Sequence, residues 1–458
     1  MNQIDQSIFK TYDIRGIYPQ EINSEAVKKI AYAQVKFLNL KNIVLGYDAR
    51  SSSPEFYQAA RKTFISLGVD VFDIGMVPIE VLYFTCGDKK VDGGFYVSAS
   101  HNPPEYNGIK LIREEAKPLT FGTGLEDVKK IALEIDEIKS TKIVGKVSKI
   151  DPWDDYFNKI FSIIDAKKIK PIKIICDASN GVAGLALEKI AKKLPIKIVK
   201  LNFIPDGDFP NHQPNPLLEN CRKQIANECK RHNDISLAAI FDGDGDRVTF
   251  LDENGEFIDT DFSSALVAKI LLGKNAGDSI VFDLRRGWAI KDQAEILGSK
   301  FYPAKSGYPF IKQKMRQENA VFGGEASAHY FYRDFFFSDS GVITLLLIIG
   351  FLSANNLKMS EAIEEYRQGY FMFEETNFKV KNAEEIVLKL KEEFCDGKIN
   401  LLDGLSIDYS DWHFNLRSSN TQPLIRLNVE GKNQGLIGKM RDKIIKIIGS
   451  FGGMQVEE

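Results

Sequence analysis

Short continuous apolar runs alternate along this chain with longer stretches whose apolar positions recur every three or four residues. The first pattern reads as strands buried on both faces, the second as amphipathic helices. The run "NIVLGYD" (residues 42–48) leads into "SPEFYQAARKTFISLG" (53–68) and then "VDVFDIG" (69–75). Ser53 is placed to cap that helix, Pro54 to take its first position and Gly68 to end it, which makes one parallel βαβ unit. A second unit runs from "IKIICDA" (172–178) through "LALEKIAKKL" (185–194) to "IKIVKL" (196–201). A third runs from "SIVFDL" (279–284) through "WAIKDQAEIL" (288–297) to "KFYPAK" (300–305). Three units spaced about a domain apart predict three α/β domains of related build. The likeness of "YDIRG" (12–16) to "FDLRRG" (282–287) hints at a shared ancestor. Beyond residue 370 the pattern changes to a helix over "AEEIVLKLKEEF", short strands around "GLSIDYSDWHFNLR" and "LIRLNVE", and a final helix over "QGLIGKMRDKIIKII". That tail reads as a smaller α+β domain, and the expected divisions are 1–150, 151–255, 256–368 and 369–458.

Composition narrows the field of partners. At roughly 100 to 200 residues per domain, 458 residues hold about three or four domains. With 60 basic against 63 acidic residues the net charge is -3, which offers no global attraction to nucleic acid or to an anionic membrane. Anion recognition must therefore be local. Five cysteines without a CxxC pair indicate a reducing compartment, and "MNQIDQSIFKTYD" has no apolar signal core. The run "VITLLLIIGFL" (342–352) is too short to span a bilayer and reads as a buried helix. The expectation is a cytoplasmic, soluble protein.

Four stretches carry candidate chemistry. In "AAIFDGDGDRVTFLD", Asp242, Asp244 and Asp246 alternate with glycines, and hard oxygens converging in this way suit Mg²⁺. An EF-hand is excluded because Arg247 stands where that loop needs glycine and both flanks read as strands, although Glu253 falls at its twelfth position. An acidic hairpin turn is the alternative, but like charges so close repel unless a cation holds them. In "FNLRSSNTQPLIRL", Arg417, Ser418, Ser419, Asn420 and Thr421 read as an interstrand loop able to take a phosphate, or as an ordinary polar turn. In "GGEASAHYFYRDF", Glu325, Ser327 and His329 alternate as sugar-hydroxyl partners would, or as the polar face of a strand. Finally, "GGFYVSASHNPPEYNGIKLI" presents Ser100 at the end of a strand in a turn set by Asn102, Pro103 and Pro104. No G-x-S-x-G elbow surrounds Ser100 and His101 is its neighbour, so phosphate carriage, with Lys110 within reach, suits it better than hydrolysis.

Taken together, "FKTYDIRGIYP", "SASHNPPEYNGIK", "FDGDGDR", "GGEASAHYFYRDF", "DSG" (339–341) and "LRSSNTQPLIRLNVE" resemble the α-D-phosphohexomutases, and within them the bacterial phosphomannomutase/phosphoglucomutase group. The stretches run from residue 9 to residue 430. The resemblance implies four domains around a central cleft, three of them related α/β/α domains with mixed sheets. It assigns the serine loop, metal loop, sugar loop and phosphate loop to the four in order.

The implied reaction is reversible movement of phosphate between C6 and C1 of a hexose through a phosphoserine and a hexose 1,6-bisphosphate, with mannose phosphates as first expectation and glucose phosphates as a second pair. A phosphoglucomutase, a phosphoglucosamine mutase and a silent phosphosugar-binding protein are the alternatives. Ser100 is the implied phosphoserine, held on Mg²⁺ with Asp242, Asp244 and Asp246. Arg15 and Lys110 would neutralise the transferring group, with Lys110, His101 or His329 as acid/base and neighbouring cations lowering the pKa of Lys110 towards neutrality. Tyr12, Arg247, Arg285, Tyr308, Glu325, Ser327, His329, Arg417, Ser419, Asn420 and Thr421 are the implied substrate contacts. The hexose phosphate is the expected partner, with no nucleic acid and no membrane, for a monomer or weak homodimer. Three positions depart from the family pattern. Tyr308 replaces the histidine of a usual "TGH", Ala326 replaces a common methionine, and Gln422 replaces a usual glutamate.

Overall fold

The computed structural model describes residues 4–418 and 424–456. It divides into two units, Met1–Ile258 with Ser327–Met359, and Asp259–Ala326 with Ser360–Glu458.

In the first unit, strand β1 (Ile14–Ile17) and helix α1 (Ser24–Leu38) precede the predicted βαβ unit of β2 (Asn42–Tyr47), α2 (Ser53–Ser66) and β3 (Asp70–Met76). Helix α3 (Ile79–Lys89), the hairpin strands β4 (Gly93–Val97) and β5 (Tyr106–Arg113), helix α4 (Leu125–Glu134) and β6 (Val147–Lys149) follow. The sheet order is β1-β5-β4-β2-β3-β6. Strand β2 runs parallel to β3 and β4, whereas β5 runs antiparallel to β4 and β1, so the sheet is mixed. Every residue of β4 is buried, as expected of an interior strand covered on both faces. One detail differs from expectation. Ser53 is the first residue of α2 rather than its cap, because its hydroxyl is committed to Asp48 Oδ1 at 2.6 Å.

The same build recurs with α5 (Trp153–Ile164), β7 (Ile172–Asp177), α6 (Ala183–Lys193), β8 (Ile196–Leu201), α7 (Glu219–Cys229), β9 (Ala238–Phe241), β10 (Val248–Leu251) and β11 (Phe257–Ile258). Its order is β11-β10-β9-β7-β8, with β7 parallel to β8 and β9, and β9 antiparallel to β10.

The second unit opens with α8 (Thr260–Leu272), β12 (Ser279–Asp283), α9 (Trp288–Ile296), β13 (Lys300–Ala304), α10 (Tyr308–Glu318) and β14 (Phe322–Glu325). Strand β12 is parallel to β13 and β14, which repeats the parallel core a third time. The hinted kinship of "YDIRG" and "FDLRRG" is not a structural equivalence. The first falls on an antiparallel edge strand and the second at the end of a central parallel one. The C-terminal α+β domain is an antiparallel sheet whose longest strands are Trp412–Ser418 and Ile425–Gly431. Helices Ala383–Glu393 and Gln434–Ser450 bury Ile386, Leu390, Ile437, Ile444 and Ile448 in one core with Leu405, Phe414 and Leu427.

Back in the first unit, β15 (His329–Tyr332) pairs antiparallel with β16 (Ser338–Asp339) and leads to α11 (Gly341–Asn355), the helix expected from the long apolar run. Among the described residues no helix is long and apolar enough to cross a membrane.

Beside α11, Glu80 is fully buried and accepts from Tyr156 Oη at 2.8 Å. Burial pushes its carboxyl up to about 8, against the pull of hydrogen bonds from Ser340 and Tyr156. The unfolded chain releases that proton near 4.5, so between the two values it binds fewer protons than the fold. Stability should therefore decline as pH rises across this window. Glu80→Gln should flatten the decline, measured as a smaller Tm difference between about pH 5 and about pH 8 than the parent shows.

Candidate active site

Ser100 leaves the buried strand β4 with φ of +50°, in the left-handed region, which turns its hydroxyl out of line with the strand. Its N–H donates to Ser98 Oγ at 2.7 Å, and Ser98 Oγ donates to Asp244 Oδ2 at 3.0 Å. The Ser100 hydroxyl donates to Asp242 Oδ2 at 2.8 Å, and His101 Nδ1 lies 3.2 Å from Ser100 Oγ. The acidic loop joins β9 to β10 as an antiparallel hairpin, so the strand flanks expected from the sequence are present. A Cβ on Gly243 would stand 2.6 Å from the Ser100 carbonyl oxygen, and Gly245 has φ of +79°, so the glycines let the two loops meet.

Asp242, Asp244 and Asp246 are all buried, and one carboxylate oxygen from each lies within 4.8 Å of the others. Asp242 Oδ1 accepts from the N–H groups of Gly245 and Arg247, which closes the loop. Among the described residues, Asp244 Oδ1 has no hydrogen-bond partner, and Asp246 Oδ1 has none closer than His329 Nε2 at 3.6 Å. Buried carboxylate oxygens left open in this way fit a hard divalent cation. Burial, then the charges of Asp246 and Asp244, push the Asp242 carboxyl well above its usual range.

Lys110 projects from β5 and places Nζ 2.8 Å from Asp244 Oδ2 and 2.7 Å from Asp246 Oδ2. Burial pulls its pKa down, but the two carboxylates outweigh that and hold it well above the ordinary value. The expected shift towards neutrality is thus reversed, because the nearest charges are anions. His101 goes the other way. Burial, then Arg247 and Arg15, keep its imidazole well below the ordinary value and therefore neutral. Arg15, on β1, donates Nε and Nη2 to Asp13 Oδ2 and Nη1 to Asn102 Oδ1 at 2.6 Å. Arg247 Nε donates to His329 Nε2 at 3.2 Å, and His329 Nδ1 lies 3.2 Å from Ser327 Oγ. Tyr12 sits half-buried in the turn before β1.

The other predicted residues belong to the second unit. Glu325 closes β14 and accepts from the Gly307 N–H at 3.1 Å. Glu325, Ser327 and His329 are therefore not three places on one strand. Ser327 falls in the turn between β14 and β15. Tyr308 begins α10, with Lys312 Nζ 5.4 Å from its ring centroid. Arg285 is held by Asp283 Oδ2 at 2.6 Å.

Arg417 lies on strand Trp412–Ser418 rather than in the following loop. It is 6% exposed, and its Nε has no hydrogen-bond partner among the described residues. Burial, then the charge of Arg285, lower its pKa. Glu375 balances this basic group, accepting from Arg426 Nη1 at 2.9 Å and lying 3.7 Å from Arg417 Nη2. Sequence reading missed Glu375 and Arg426. The signal for Arg426 is the strand register that pairs it with Arg417, and that register exists only in the folded sheet. Ser419, Asn420 and Thr421 lie outside the described residues.

A buried serine is thus bonded into a three-carboxylate cluster, carried on repeated α/β/α domains. Models of the four phosphoglucomutase/phosphomannomutase domains match this chain in order. Alpha/beta/alpha domain I matches residues 6–140, domain II 154–255, domain III 259–370 and the C-terminal domain 375–447. The chain belongs to the phosphoglucomutase/phosphomannomutase family. It is 39% identical over 449 residues to a phosphomannomutase of Vibrio cholerae, covering 95% of this chain and 96% of that one. A phosphomannomutase of Escherichia coli is 38% identical over 433 residues, covering 93% and 94%. The crystal structure of a phosphoglucomutase/phosphomannomutase family protein from Burkholderia thailandensis superposes with a TM-score of 0.89 at 28% identity, covering 98% of each chain.

Proposed function

We propose that this protein is a Mg²⁺-dependent phosphomannomutase that interconverts mannose 6-phosphate and mannose 1-phosphate through phosphorylated Ser100 and a hexose 1,6-bisphosphate, and that it also accepts glucose phosphates. The observation that carries this reading is the Ser100 hydroxyl 2.8 Å from Asp242 in a cluster of buried carboxylates with open oxygens. Asp242, Asp244, Asp246 and the phosphorylated serine would hold the metal. When bound, Mg²⁺ would supply charge neutralisation for the phosphoryl group on Ser100.

The residues of the chain divide the remaining work. Lys110, an ammonium between two carboxylates, and Arg15, fixed by Asp13 and Asn102, add positive charge beside the serine. His101, kept neutral with Nδ1 3.2 Å from Ser100 Oγ, would serve as the acid/base beside the serine, taking the proton of the hydroxyl that is phosphorylated and giving it to the oxygen from which the phosphoryl group departs. Arg247 would meet the sugar next to the metal loop. Arg417 and Arg285, with Ser419, Asn420 and Thr421, would hold the phosphate that is not reacting. Glu325, Ser327, Tyr308, His329 and Tyr12 would contact the sugar. Domain boundaries at 150, 255 and 368 would then give each loop its own domain.

Rates measured side by side on mannose, glucose and glucosamine 1-phosphates, with Mg²⁺ and a trace of bisphosphate, test the reading. Mannose 1-phosphate should be converted with the highest kcat/KM and glucose 1-phosphate next. Faster conversion of glucosamine 1-phosphate would overturn the substrate assignment.

A further inference from the structure

The loop that carries Ser100 has no ladder of its own, and its backbone carbonyls must find donors elsewhere. One side chain supplies several of them. Arg50, in the turn between β2 and α2, is 1% exposed. Its Nη1 donates to the carbonyls of Pro103 at 2.7 Å and Tyr106 at 2.8 Å, and its Nη2 donates to those of Ser100 at 2.8 Å and Asn102 at 2.7 Å. Asp48 Oδ2 lies 3.3 Å from Nε, and the Phe209 ring centroid is 5.1 Å from the guanidinium carbon. A buried guanidinium thus spans the loop from its serine to the start of β5.

We propose that Arg50 is a positioning residue for Ser100. Its planar fork fixes the four carbonyls and thereby the left-handed backbone at Ser100, which keeps the hydroxyl aimed at Asp242. The proposal rests on Ser100 being the phosphoryl carrier. It does not make Arg50 a contact of substrate or metal, since all of its hydrogen bonds to the loop are to backbone oxygens. Parallel pairing of β2 with β4 explains how a residue fifty positions upstream reaches the loop, because the two strands end side by side.

Lysine keeps the charge opposite Asp48 but has one compact donor group in place of a fork, so it cannot span four carbonyls. For Arg50→Lys, kcat should fall by about tenfold or more, KM for the sugar phosphate should stay within about twofold, and Tm should fall as buried carbonyls lose their donor. Amide hydrogen exchange at Asn102 and Tyr106 should accelerate, while exchange in α6 and β9 stays as in the parent. If Arg50→Lys does not fold, the paired change Asp48→Asn with Arg50→Met removes both buried charges together and should show the same two effects. Parental kcat, or parental exchange at these amides, would overturn the positioning role. Absence of mutase turnover in the parent protein would overturn the proposed function alone, because the exchange measurement still decides whether Arg50 holds the loop.

Discussion

Ser100→Ala is expected to lower conversion of mannose 1-phosphate to mannose 6-phosphate by on the order of a thousandfold or more, while the protein stays folded. The substitution removes the oxygen proposed to carry the phosphoryl group but touches little of the packing. It costs one hydrogen bond to a carboxylate, about 1–3 kcal/mol. The left-handed backbone is no harder for alanine than for serine, and the bonds from Arg50 to the loop carbonyls do not involve the side chain. A near-parental Tm with lost turnover is therefore the expected pair of results. Incubation with a bisphosphate should phosphorylate the peptide containing Ser100 in the parent and leave the variant unmodified, as read by mass spectrometry. Retained turnover in the variant would remove Ser100 from the mechanism.

Taking the charge from Asp244 should have the next largest effect. Asp244 Oδ2 accepts from both Ser98 and Lys110, and Oδ1 is one of the two open oxygens of the cluster. Asp244→Asn keeps the shape, loses a proposed hard ligand and leaves Lys110 with Asp246 alone. The Mg²⁺ concentration giving half-maximal rate should rise by at least about tenfold, and kcat should fall by about a hundredfold. For the parent protein, a chelator should abolish turnover and lower Tm, with both restored by Mg²⁺. A cation at a hundred times its Kd stabilises a fold that binds it by about 2.7 kcal/mol, large enough to read as a thermal shift. A parent whose rate and Tm ignore chelation would overturn the metal assignment.

The two substitutions probe features of different legibility. Asp242, Asp244 and Asp246 stand in one short loop, so their convergence could be read from spacing and glycine content before any fold was known. Lys110 was legible as a cation near the serine, but the direction of its pKa was not. That direction depends on which charges lie nearest across the gap from β5 to the acidic loop, and those are carboxylates. Arg50 and Glu375 escaped notice for a related reason. Each works through partners distant in sequence, Arg50 through carbonyls that any residue could supply and Glu375 through guanidiniums on other strands.

By itself, the sequence determined the alternation of strands and helices, the three α/β repeats with an α+β tail, and the residue types of each reactive loop. All of these follow from local periodicity and from chemistry carried within a few residues. The tertiary structure alone decided that the Ser100 hydroxyl meets Asp242, that Lys110 is clamped as a cation, that Ser327 falls in a turn and that Arg417 lies within a strand. Those outcomes depend on strand register and on loops brought together across the ends of β2, β4 and β9, where distance and burial set both hydrogen bonding and charge.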